Sequence, residues 1–338
     1  MDGVTDAAMR YMVAKYGHPD YLFTEFVSVD ALHHATGERR ERLLKTFVKA
    51  RDVGHWLQSS DHSPIISQGS ELREIAQIFG HNIEYFKEAA ELIESLGFDG
   101  IDINMGCPMH KVEDQGSGAG LIRTPEIAKE IVLAVKSATK LPVSVKTRIG
   151  VDRDIAEEWM EQLMEVKPAF ISLHGRTLRQ LYSGSADWEA IGRAARVVHK
   201  HGGIIFGNGD VESIVDAQAK AAKYGVDGIL IGRSAEGNPG IFSELQSSEH
   251  SLTQGSELWV QRQIQRLIEH AQVFEKIFKP QIEKEGDYRW FMPMRKHLAW
   301  YCKGFEGAVE MRAKLMLTNS VSEVEQIVSS LRDFLPQV

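Results

Sequence analysis

The residues best suited to chemistry fall in a few short stretches. The first is Asp102-Ile103-Asn104-Met105-Gly106-Cys107-Pro108, followed by Lys111-Val112 and Gly116-Ser117-Gly118-Ala119-Gly120. Phe98-Asp99-Gly100-Ile101 reads as the apolar entry to a buried strand, and Gly106 and Pro108 break it. Cys107 therefore stands on a loop at a strand's C-terminal end. A thiol there could be a nucleophile, a metal ligand, a general acid or a small buried hydrophobe, the last being commonest for a lone cysteine. No second Cys or His stands at ligand spacing, which argues against a metal site. A nucleophile needs a neighbouring base or cation, which sequence does not place. A general acid needs a proton and good aim, and an unperturbed thiol, with a pKa of about 8.5, keeps its proton at neutral pH.

Other stretches carry charge to strand ends. Lys146 lies in Pro142-Val143-Ser144-Val145-Lys146-Thr147-Arg148, where an ammonium is costly without a partner. It either snorkels at the strand end or aims its charge at a bound group. His174-Gly175-Arg176-Thr177 follows the apolar run 170–173. Gly207-Asn208-Gly209-Asp210 and Gly232-Arg233 close the last two candidate strands. Each alone could be a tight turn. Together they match the two loops with which barrels often hold a phosphate through backbone N–H groups. The run 116–120 follows a long loop rather than a strand, so it does not read as a dinucleotide fingerprint.

The elements that position these residues alternate. Strands are expected at 21–26, 64–68, 100–104, 142–147, 170–174, 204–207 and 228–232, with amphipathic helices such as 84–96, 126–140 and 154–166 between them. Alternation implies parallel strands with helical crossovers, and the apolar strands suit burial on both faces. Seven strands fall one short of a closed TIM (β/α)8-type barrel, whose chemistry sits at the C-terminal edge of the strands. The missing strand is the first, because Met1-Asp2-Gly3-Val4-Thr5-Asp6 reads as a loop and helix start. The expected architecture is thus α/β, a TIM barrel lacking its first strand, with the natural protein extending upstream of Met1. After it comes an all-helical bundle. Val260, Ile264, Leu267, Ala271, Phe274 and Phe278 form one apolar stripe, and helices are expected at 293–303, 307–317 and 321–334. The expected domains are a barrel at 1–246, a linker at 247–255 and a helical domain at 256–338.

Composition narrows the class. The 338 residues are 43% hydrophobic and 25% charged, as in an ordinary globular chain. No apolar run is long enough to span a bilayer, and no N-terminal signal is evident, so a cytoplasmic protein without a membrane partner is expected. Two cysteines, Cys107 and Cys302, suit a reducing compartment, with Cys302 read as structural. A net charge of -8 argues against coating nucleic acid non-specifically, so any RNA must be gripped by a local patch. One such patch is 289–303, which holds Arg289, Arg295, Lys296, His297 and Lys303 with Trp290, Phe291, Trp300 and Tyr301 and no acid. Cations with aromatics suit looped RNA, although the aromatics alone suit a bundle core.

Asn104-Met105-Gly106-Cys107-Pro108, then Lys111-Val112 and Gly118-Ala119, resembles the signature of the tRNA-dihydrouridine synthases, flavin enzymes that reduce uridine in tRNA. His174-Gly175-Arg176-Thr177 with Gln180, Tyr182 and Ala186-Asp187-Trp188, and Met294–Leu298 with Trp300-Tyr301, extend the likeness over nearly the whole chain. Met109-His110 departs from it, where family members more often carry a small residue and a base. The resemblance implies a flavin mononucleotide (FMN) reduced by NADPH or NADH, and tRNA as partner, with a monomer favoured and no metal. It makes Cys107 the acid that protonates uracil C5. It places Met1, Gln68, Lys146, His174, Asn208, Gly209, Asp210, Gly232 and Arg233 at the FMN, Gln68 and Lys146 at its ring and the last five at its phosphate. It places Asn104, Arg176, Arg295, Lys296 and Lys303 at the RNA. Two alternatives remain at this level: another FMN-dependent barrel reductase acting on a free pyrimidine or enoate, and a non-catalytic RNA-binding relative.

Overall fold

Seven parallel strands pair in chain order: β1 (Tyr21–Ser28), β2 (Arg73–Phe79), β3 (Gly100–Met105), β4 (Val143–Arg148), β5 (Ile171–His174), β6 (Ile205–Asn208) and β7 (Gly228–Leu230). In the computed structural model the described residues are 1–56, 72–109, 113, 116–243, 254–280 and 289–331. β3 and β5 are buried along their whole length, as parallel strands covered on both faces should be. Helices between the strands supply the cover. Helix Ile83–Ser95 starts where Asn82 accepts from the Glu84 and Tyr85 N–H groups, and it buries Phe86, Ala89, Ala90 and Ile93. Helix Trp188–Lys200 starts on Asp187, which accepts from the Ala190 N–H, and buries Ile191, Ala194, Ala195 and Val198.

The sheet curls into a barrel. The Tyr21 ring lies 5.8 Å from the rings of both Phe170 and Phe206, and Phe170 stacks on Phe206 at 4.7 Å. β1 and β6 are five places apart in the sheet, which on a flat sheet would separate them by about 24 Å. With Phe23, 6.3 Å from Phe170, these rings plug the N-terminal end of the strands. The opposite end is left for chemistry. This is the TIM (β/α)8-type architecture with seven strands among the described residues.

The second strand differs from the sequence-based expectation. Between β1 and β3 the sheet is filled by Arg73–Phe79, with Gln77 paired to Asp102, while 64–68, including Gln68, lies outside the described residues. Buried polar residues at Glu74 and Gln77 interrupt the apolar run and hide this strand from hydrophobic periodicity.

The chain divides into two compact units. One, Tyr21–Phe47 with Arg73–Gly232, holds the whole sheet. The other comprises Met1–Asp20, Val48–Leu72 and Arg233–Val338. In it, helix Ala7–Gly17 begins on Asp6, which accepts from the Met9 N–H. Helices Glu257–Phe278, Met292–Tyr301, Ala308–Leu315 and Val321–Leu331 follow. The buried face of Glu257–Phe278 carries Val260, Leu267, Ala271 and Phe274, but also Gln263, Arg266 and His270, while Ile264 and Phe278 are only half-buried. Phe291 and Tyr301 are core residues. Of the expected linker at 247–255, only Gln254 and Gly255 are described.

Candidate active site

Both peptide groups that flank the Cys107 α-carbon are fixed. Asn104 Oδ1 accepts from the N–H groups of Gly106 and Cys107 at 3.0 and 2.9 Å. The Gly106 carbonyl accepts from Arg148 Nε at 2.7 Å, and the Cys107 carbonyl accepts from the Ala119 N–H at 3.1 Å. Ala119 belongs to a 3-10 helix, Gly118–Arg123, so the glycine-rich run is an ordered support for the loop. Cys107 itself is 6% exposed, and neither cysteine is in a disulfide.

Beneath the loop lies a buried polar chain. Asp102, on β3, is fully buried and accepts from Ser144 Oγ at 2.6 Å and Gln77 Nε2 at 2.7 Å. Gln77 Oε1 in turn accepts from Asn104 Nδ2 at 3.0 Å. Strand register produces this contact set, since Gln77 pairs with Asp102 and Asp102 with Ser144. Burial raises the Asp102 carboxyl to about 6, with its two hydrogen bonds and the Lys146 charge opposing the rise.

Cations gather at the C-terminal edge of β4 and β5. Lys146 pairs in register with Asn104, and Arg148 with His174. Burial and the Arg148 charge lower the Lys146 ammonium to about 8, against the pull of Asp102 and Cys107. Lys146 makes no hydrogen bond or ion pair to any described residue, which leaves its donors for a ligand. Arg148 also interacts electrostatically with Cys107. Burial, then the charges of Lys146, Arg148 and Arg176, push the His174 imidazole down to about 2, so it is neutral at working pH. Its Nε2 faces Arg176 Nη1 at 3.4 Å. A guanidinium only donates, so Nε2 accepts and the ring proton sits on Nδ1.

Several expected ligand residues also make contacts within the scaffold. Arg176 is 2% exposed and donates to Asp210 Oδ2 and the Gly184 carbonyl, both at 2.6 Å, and to the Ser183 carbonyl at 3.3 Å. It holds the loop after β5. Asp210 also accepts from the Ala186 N–H at 2.8 Å, so its carboxylate serves that loop. Asn208 Nδ2 donates to the Leu230 carbonyl at 2.9 Å, tying β6 to β7. Asn104, expected at the RNA, holds the Cys107 loop. Gly209 has φ 122°, and a Cβ there would lie 2.6 Å from Ala186 Cβ and 3.0 Å from His174 Cδ2, so only glycine fits. Gly232 ends the sheet-bearing unit.

The remaining expected residues belong to the other unit. Arg233 opens the short 3-10 helix Arg233–Ala235. Met1 is exposed, and its amino group donates to Thr5 Oγ1 at 2.8 Å. Arg295 donates to the Thr318 carbonyl at 2.8 Å and to Asn319 Oδ1 at 2.7 Å. Lys296 is half-buried with its Nζ against Gly3, where a Cβ would come within 2.4 Å of it. Lys303 is exposed and, among the described residues, donates to the Glu236 carbonyl at 3.1 Å. Sequence reasoning missed Gln77, Asp102 and Arg148 as site residues. The available signal was the placing of polar residues inside otherwise apolar strands.

Among the described residues no helix is long and apolar enough to cross a membrane, and no group of three or more His, Cys, Asp or Glu side chains is placed to hold a metal ion.

Known proteins share both the fold and the sequence. A solved structure of histamine dehydrogenase from Rhizobium sp. 4-9 shares the fold with a TM-score of 0.53 at 13% identity, over 80% of this chain and 47% of that one. A probable tRNA-dihydrouridine synthase of Staphylococcus epidermidis is 34% identical over 335 residues, 98% of this chain and 91% of the relative. A probable tRNA-dihydrouridine synthase 1 of Synechocystis sp. is 31% identical over 330 residues, 97% of this chain and 83% of the relative. The family model described as dihydrouridine synthase matches residues 1–336, and the chain belongs to that family.

Proposed function

We propose that this chain reduces the C5=C6 bond of uridine in tRNA, with FMN as the resident cofactor and NADPH or NADH as the source of electrons. The single observation that carries the reading is a thiol on an immobilised loop at the strands' C-terminal edge, beside the buried cations Lys146 and Arg148.

The residues present suit a flavin. Lys146 offers donors that no described residue takes up, and a cation there matches the anionic N1–C2=O edge of the reduced ring. Neutral His174 adds a polar ring wall on the same strand edge, and Gly209 keeps the backbone open after β6. The Gly209 and Gly232 segments are assigned to the phosphate through backbone N–H groups. Bound there, the flavin supplies hydride for uracil C6.

Cys107 does the complementary step. As C6 gains hydride, negative charge develops on C5 and the adjoining carbonyl. The thiol delivers its proton to C5, giving the 5,6-dihydro ring, and solvent later reprotonates the thiolate. Lys146 and Arg148 stabilise that thiolate by Coulomb attraction in a buried setting. The reacting base must leave its stack to reach the barrel mouth, which costs a few kcal/mol and less in a strained loop. Lys296 and Lys303 of the helical unit contribute cations to RNA binding.

The test is a single-turnover assay of Cys107→Ala on tRNA lacking dihydrouridine. Flavin retention and tRNA binding are expected to persist while the rate falls about 10²- to 10⁴-fold. A normal single-turnover rate would refute the acid role. Reduction of a free pyrimidine at a rate matching that of tRNA would instead favour a small-molecule reductase.

A further inference from the structure

The relation between Asp102 and the Cys107 loop carries an inference beyond the reaction itself. An ionised carboxylate only accepts hydrogen bonds, whereas an amide presents a donor end and an acceptor end that can exchange places. Asp102 faces Gln77 on β2 and Ser144 and Lys146 on β4. Because Asp102 accepts, Gln77 must turn its NH2 toward it and its carbonyl toward Asn104. Asn104 must then turn its own NH2 toward Gln77, which leaves its carbonyl for the Gly106 and Cys107 N–H groups. Were the Asn104 amide reversed, an NH2 would face two backbone N–H groups, and the loop would lose both bonds.

We propose that Asp102 is a positioning residue that sets the direction of the Gln77 and Asn104 amides and thereby holds the Gly106–Cys107 backbone in place. It touches no reacting atom. Its influence reaches the thiol through two neutral side chains, and it shares the setting of their direction with the Gly106 and Cys107 N–H groups at the far end. The inference rests on Cys107 being the reacting thiol only for its purpose; the loop geometry is read without turnover.

The experiment is a double-mutant cycle on Asp102 and Ser144 in the full-length, flavin-loaded protein. The readout is the iodoacetamide alkylation rate of Cys107, resolved from buried Cys302 by peptide mass mapping. In Asp102→Asn the hydroxyl of Ser144 can accept the new NH2, which leaves the new amide carbonyl for Gln77 and preserves the chain. In Ser144→Ala the carboxylate still accepts from Gln77. Each single variant is expected within about threefold of the parent. In the double variant the amide introduced at position 102 loses its hydroxyl partner and can turn either end toward Gln77, so the downstream amides are held from the loop end alone and alkylation is expected to rise about tenfold or more. A double variant equal to the product of the singles overturns the proposal, since a role in packing alone would give that result.

If the double variant does not fold, Gln77→Glu decides the matter. It sets two carboxylates face to face, near Lys146, with Arg148 and Cys107 beyond. One shared proton would restore the donor toward Asp102. The alkylation rate relative to the parent is expected to be high at about pH 9 and to fall toward unity at about pH 6. A ratio that does not change with pH overturns the proposal. Should Cys107→Ala leave dihydrouridine formation unslowed, the acid reading falls while alkylation still judges this one.

Discussion

Arg148 Nε donates to the Gly106 carbonyl at 2.7 Å, and the same guanidinium reaches the Thr177 and Leu181 carbonyls through Nη1 at 3.0 and 3.1 Å. One buried cation thus joins the loop that carries the thiol to the loop after β5. Leu181 has a left-handed φ of 51°, which that loop tolerates while its carbonyl is held. Lysine keeps the charge but not the fork, and a single ammonium cannot serve three carbonyls set around a guanidinium. Arg148→Lys is expected to lower stability by about 1–3 kcal/mol and kcat by about 10- to 100-fold. Chemical unfolding and single-turnover assays check both. A kcat within about twofold of the parent, in a folded protein, would mean that the two loops hold themselves.

Lys146 sets a trade between stability and cofactor retention. Burial and the neighbouring Arg148 hold its ammonium at about 8, below its ordinary value. The folded state therefore binds this proton more weakly than the unfolded chain does. The resulting cost is present at neutral pH and is relieved as pH rises through about 8. Lys146→Met removes the cost and is expected to stabilise the flavin-free protein by roughly 1–3 kcal/mol. The same variant is expected to shed its flavin during gel filtration. Unchanged flavin retention would show that the cation does not face the ring.

His174 places its pH dependence on the acid side. Burial and three cations hold its folded-state pKa at about 2, against an ordinary 6.5. Between those values the unfolded chain binds a proton that the folded protein refuses, so stability falls as pH drops through 6.5. From pH 7 to pH 5 the expected loss is about 2 kcal/mol. Asp102 works against this near its raised value of about 6, because the folded state there binds the extra proton. His174→Gln is therefore expected to flatten the acid limb of a urea-unfolding series. An acid limb as steep as the parent's would assign the loss to other groups.

The sequence discloses strands and loops more readily than contacts. Six of the seven strands are legible as short apolar runs between helical segments, most plainly β3 and β5, where burial on both faces writes a continuous signal. β2 is not, since its buried Glu74 and Gln77 break that signal and their partners lie elsewhere in the chain. The loop residues Cys107 and Gly209 and the strand-end Lys146 are legible from their types. What Asn104, Arg176, Asp210 and Arg295 touch is not. Each looks like a ligand residue in sequence, and each is satisfied by backbone or side-chain groups that only the folded chain brings near. His174's neutrality depends on its burial and then on three cations from one strand and a loop, so its residue type alone does not reveal it.

Arg295 and Lys303 separate structure from binding within one basic segment. Arg295 is half-buried, and its guanidinium closes the end of the segment that follows helix Ala308–Leu315, through Thr318 and Asn319. Lys303 is exposed and, among the described residues, holds one carbonyl. Arg295→Ala is expected to cost about 1–2 kcal/mol of stability, because it strips a charged donor from half-buried acceptors. Lys303→Ala is expected to leave stability within about 0.5 kcal/mol of the parent. If Lys303 neutralises a phosphate, its removal should lower the slope of log K against log salt for tRNA by about 1. Binding titrations at several salt concentrations, beside thermal unfolding, check the pair. A salt slope unaltered in Lys303→Ala would move the RNA contact off this part of the helical unit.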